Sequence, residues 1–72
     1  MVVQIDFAAE SDSGNLLGRL KVCCSSIEDA KEWLISEVEY YKMELKSGSI
    51  EFKIVPDKYL REKDLDDIIS IK

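Results

Sequence analysis

Histidine is absent from this 72-residue chain, which removes the commonest general base and the commonest transition-metal ligand. Cysteine occurs twice, at adjacent positions, Cys23 and Cys24. Neighbouring side chains in a strand point to opposite faces, so a disulfide between them would need a distorted backbone. Two thiols with no histidine also make no zinc site. The pair reads as one buried thiol and one on the other sheet face, in a reducing compartment. No apolar run approaches the roughly 20 residues of a spanning helix, and the start Met1-Val2-Val3-Gln4-Ile5-Asp6 lacks the basic and apolar regions of a signal peptide. The expected location is cytoplasmic, with no membrane association. The sequence also lacks a Gly-rich phosphate loop, a nucleophile elbow and paired metal ligands at helical spacing. These absences argue against an enzyme and imply no cofactor and no metal.

What is present is charge, unevenly spread. Fifteen acids face ten bases for a net charge of −5, which disfavours a phosphate backbone as the main partner because such binding relies on clustered Lys and Arg. Residues 1–15 carry Asp6, Glu10 and Asp12 with no base, whereas residues 16–24 carry Arg19 and Lys21 with no acid. Surface scaling for a chain of this mass predicts about 11,900 Å² exposed when unfolded and about 4,500 Å² when folded, enough for one small domain over residues 1–72.

Val3, Ile5, Phe7 and Ala9 alternate with polar or small residues, the period of a strand with one buried face. Ser11-Asp12-Ser13-Gly14-Asn15 supplies turn chemistry. Leu16, Gly18, Leu20, Val22 and Cys24 then alternate with Leu17, Arg19, Lys21 and Cys23. A hairpin follows, its pairing set by Asp6 or Glu10 against Arg19 or Lys21. Ser25-Ser26-Ile27-Glu28 fits a capping box with Ser25 as the cap. From it Ile27, Ala30, Leu34, Val38, Tyr41 and Leu45 recur at three- and four-residue spacings, predicting one helix from Ile27 to Lys46 that ends at Gly48. Ile50, Phe52 and Ile54 face inward on a third strand that Pro56 stops, with Glu51, Lys53 and Val55 outward. Asp57 to Lys63 admits a helical turn. Ile68-Ile69-Ser70-Ile71 reads as a final short strand, with a helix capped at Asp64 as the competing reading. The resulting class is α+β: a small single domain, β-β-α-β plus a short C-terminal strand or helix, its antiparallel sheet covered on one face by the long helix.

On that helix Trp33, Tyr40 and Met43 fall outside the apolar stripe, with Glu37 and Glu44 on the same edge as the two rings. They close the rim of a small core or anchor a partner, since exposed aromatics and Met concentrate at contact surfaces. Glu32 and Glu39, with Glu28, lie on a second side among lysines. That is an ordinary solvated face or a carboxylate array complementary to a basic groove. Glu62, Asp64, Asp66 and Asp67 crowd the tail but lack the glycine and spacing of a calcium loop. The outward sheet face, with Gln4, Asp6, Arg19, Lys21, Glu51 and Lys53, has no aromatic platform for single-stranded RNA.

The partner-binding candidates are therefore Trp33, Glu37, Tyr40, Met43, Glu44, Glu32 and Glu39. The function expected from them is non-catalytic binding to a basic protein, with nucleic-acid-handling proteins the class whose surfaces carry the matching charge. The profile of small size, acidity and no catalytic inventory is similar to that of small phage-encoded inhibitors of bacterial defence nucleases. The likeness is one of class and is carried by no particular residue. Two other readings stand beside it: a self-assembling homodimer using edge strands or the aromatic helix side, and weak nucleic-acid binding through the outward sheet face.

Overall fold

A computed structural model describes residues 1–46 and 48–71. Strand β1 (Val2–Ser11) and strand β2 (Gly14–Cys23) form a hairpin paired along its whole length. Asp12 and Ser13 make its two-residue loop, and Gly14 leaves it at φ 129°, a backbone conformation that a Cβ disfavours. Helix α1 (Ile27–Tyr40) follows, then β3 (Glu44–Leu45), β4 (Glu51–Val55), two 3₁₀ turns (Asp57–Tyr59 and Glu62–Asp67) and β5 (Ile68–Ser70).

The five strands form one sheet. β1 lies inside it, with β2 on one side and both β3 and β4 on the other; β5 joins the far side of β2. The expected final strand is present, but it runs parallel to β2, so the sheet is mixed where an antiparallel one was expected. α1 crosses the inner face. Val3, Ile5, Phe7 and Ala9 of β1, Val22 and Cys24, and Ala30, Leu34 and Val38 of the helix form the buried core. Cys24 is buried while Cys23 is exposed, and both thiols are free.

The helix is shorter than its apolar spacing predicts. Its cap is Ser26, whose hydroxyl accepts from the Asp29 N–H at 3.2 Å, one residue later than the expected Ser25. At the other end it stops at Tyr40, six residues before Lys46. Lys42 adopts a left-handed backbone, φ 57°. Its N–H donates to the Glu39 carbonyl, and the Met43 N–H donates to the Val38 carbonyl at 2.9 Å. Those two bonds are a Schellman closure. Lys42 takes the position usually held by glycine, which is why Gly48 misled the reading. The stripe therefore ends at Val38. Tyr41 lies outside the core, 66% exposed, and Leu45 packs on the core from β3 instead of from a fifth helical turn.

β3 and β4 are one strand interrupted. Ala9 faces Leu45, and an unbroken register would set Asp6 opposite Gly48; Asp6 instead faces Glu51. The excursion between them turns at Gly48, φ 74°. Ser49 fills the missing rung. Its hydroxyl accepts from the Ala8 N–H at 3.3 Å and lies 3.1 Å from the Ala8 carbonyl and 2.6 Å from the Lys46 carbonyl. The Ala8 carbonyl also accepts from the Lys46 N–H at 2.9 Å, so the side chain stands in for a neighbouring strand at the Ala8 N–H. On β4, Phe52 packs on the core as expected, but the inward-facing Ile54 is 56% exposed, beyond the helix's cover.

Candidate functional site

Helix α1 carries Glu28, Asp29, Glu32, Glu37 and Glu39 against Lys31 alone. Five acids against one base place four of the chain's five units of net negative charge on one element. Among the described residues the ion pairs lie elsewhere: Asp6 with Arg19 at 2.7 Å, Glu51 with Lys53 at 3.6 Å, and Asp64 with Arg61 at 3.4 Å. The first two lie on the outward sheet face, where Asp6 and Arg19 are direct cross-strand partners. The side-chain hydrogen bond from Arg19 holds the Asp6 carboxyl below the usual aspartate range and raises the guanidinium in turn. Asp64 is also held low, first by the Arg61 N–H and more weakly by Lys21. The sheet's bases are therefore partly answered by acids, whereas the ion pairs among the described residues include none of the helix's acids.

The seven candidate residues divide between the two flanks of the helix. Trp33 is half-buried and packs on the core. With Glu37, Tyr41, Leu16, Leu20 and Ile69 it lines an open apolar groove of about 480 Å³ between the helix and β2. Met43 lines this groove and also the opposite flank, where Glu39 and Glu44 border a second open depression with Ile35 and Lys42. Glu32 is exposed beside Trp33. Tyr40 is 77% exposed and meets Tyr41 edge to face, centroids 5.1 Å apart.

Glu44 needs correction. Because the helix ends at Tyr40, Glu44 is on β3 opposite Glu10, not on the helical edge shared by Trp33 and Glu37. The pairing sets two like charges directly across a ladder. The spacing argument also misses Tyr41, Leu16 and Ile69, all exposed and all on the groove. Tyr41 was hidden by the helical period carried past Lys42. Leu16 follows the inward alternation and Ile69 lies on the expected final strand, but no sequence signal showed that the helix leaves them uncovered.

No candidate metal centre is built: among the described residues, no group of three or more Cys, Asp or Glu side chains is placed to hold an ion. No helix is long and apolar enough to cross a membrane. Comparison with family models, with curated proteins and with solved structures finds no match to this chain.

Proposed function

We propose that this protein is a non-catalytic binding module that presents the acidic outer side of α1, with its exposed Tyr40 and Tyr41, to a basic surface of another protein. The observation that carries this reading is charge segregation: a helix with five acids and one base, bordering a sheet in which Asp6 and Glu51 are each paired with a base. A net-negative rod with exposed aromatic rings suits a surface of Lys and Arg, where long-range attraction gathers the partner and ring faces accept cations. Such surfaces are built chiefly to hold phosphate backbones, which makes a nucleic-acid-handling protein the partner class and steric occupation of its groove the mechanism. The resemblance in class to small phage inhibitors points the same way.

Immobilised protein exposed to a host lysate tests this directly. The expected result is capture of a basic protein that is released as salt rises and is not captured by the double variant Glu32→Lys, Glu39→Lys. These two side chains are exposed, so their reversal leaves the core intact. Capture that ignores both salt and charge reversal would overturn the reading.

A further inference from the structure

The two outer edges of the sheet are finished differently. The β4 edge carries Glu51 and Lys53, is followed by Pro56 and is broken from β3 at Gly48, all devices that discourage another strand from adding. The β2 edge has few of these. β5 covers it only from Lys21 to Cys23, which leaves Asn15-Leu16-Leu17-Gly18-Arg19-Leu20 without a second strand beside it among the described residues. Met1 and Cys24 exchange backbone bonds, and bonded pairs alternate along an antiparallel ladder. It follows that Asn15, Leu17 and Arg19 turn their N–H and C=O groups away from β1. The Ile71 N–H bonded to the Cys23 carbonyl confirms the phase.

We infer that this edge is the interface of a symmetric homodimer in which β2 pairs antiparallel with β2 of a second copy about a two-fold axis through Leu17. The three outward-turned residues are self-complementary about that point. Asn15 meets the partner's Arg19, and Leu17 meets the partner's Leu17, each pair exchanging two backbone hydrogen bonds. On the inner face Leu16 comes opposite the partner's Gly18, where the Phe7 ring fills the place of a side chain and offers Leu16 an apolar surface. The ladder stops at Arg19, short of the strand position that β5 occupies.

Three observations favour a second copy as the occupant. Leu17 is 85% exposed and Leu16 47%, and pairing covers both. Residues 13–27 contain no acid in a chain with fifteen, so two molecules of like net charge can meet there without carboxylates facing each other across the ladder. The chain exposes 5377 Å² where scaling gives about 4,500 Å², and that surplus is of the order of the roughly 800 Å² each partner contributes to a stable interface.

Sedimentation over a concentration series tests this with the protein alone. The weight-average mass should rise from the monomer value toward twofold. Leu17→Lys should move the midpoint at least about tenfold higher in concentration, as loss of about 1.4 kcal/mol does, with an unchanged circular dichroism spectrum because Leu17 is exposed. In a Cys23→Ser background, Leu17→Cys should oxidise to a covalent dimer, since bonded antiparallel pairs set Cα atoms about 5.5 Å apart, within disulfide reach. A monomer at every concentration overturns the inference. So does a dimer that Ile54→Lys disrupts and Leu17→Lys does not, for it would use the other edge.

Discussion

The two sides of the sheet solve the same problem by opposite means. Both flank β1, and both run out of strand before the sheet is closed. On the β3/β4 side the chain breaks its own register and repairs the gap beside β1 with a hydroxyl, Ser49, so the outer edge is two short strands and no continuous ladder. On the β2 side nothing is broken. The strand is straight through ten residues, its apolar side chains reach the surface, and the covering strand β5 is only three residues long. An edge can be made safe by irregularity or left regular for use, and this molecule does one on each side.

Substitutions sharpen that contrast. The largest effect is expected on the regular side. A Cβ at Gly18 would lie inside the contact distance of the Phe7 ring, and Phe7 is held in the core. Gly18→Ala should therefore cost about 1–3 kcal/mol through overpacking, read as a lower urea midpoint with unchanged slope; a neutral result would show that the ring moves freely. On the irregular side, Ser49→Ala removes the stand-in rung and should cost about 1 kcal/mol. No loss would mean that water serves Ala8 equally well.

Lys42 also belongs to the irregular side, since its left-handed turn directs the chain from the helix into β3. Lys42→Gly should stabilise by roughly 0.5–1 kcal/mol because glycine enters that backbone region without a Cβ penalty. A loss of stability would show that the lysine side chain contributes more than its backbone strain costs.

The smallest effect concerns Asp6, at the centre of the sheet and bonded to Arg19 on the β2 edge. Its folded-state pKa is depressed by that bond, so its contribution is complete above the ordinary aspartate value and disappears as pH falls through the lower folded one. The difference in urea midpoint between the native protein and Asp6→Asn should therefore be constant at neutral pH and close below about pH 4. A gap that persists in acid would assign the effect to packing.

Much of this arrangement could be read from residue order. The hairpin, the inward set Val3, Ile5, Phe7 and Ala9, and the separate fates of the two thiols follow from strand alternation, which a single buried face enforces strongly; of the pairings left open between Asp6 or Glu10 and Arg19 or Lys21, the structure makes Asp6 with Arg19. The α+β architecture followed from these elements. The failures cluster between Tyr41 and Ser49. There a lysine in a glycine-like conformation ended the helix with no compositional signal, and tertiary pairing with β1 drew Glu44 and Leu45 into a strand that their spacing assigned to the helix. The candidate surface was legible as a list of residues, five of them on α1 and Met43 and Glu44 beyond its end, but not as a shape. Which side chains share a groove depends on where the helix stops and how far β5 reaches, and neither is a local property.

The concentration of charge on α1 gives the molecule polarity as a whole body. One broad side draws cations toward itself, while the opposite side carries mixed charges, two of its acids already bonded to bases. Any strongly cationic object would turn the protein before touching it, so ionic strength should govern how fast such an encounter forms far more than how long it lasts.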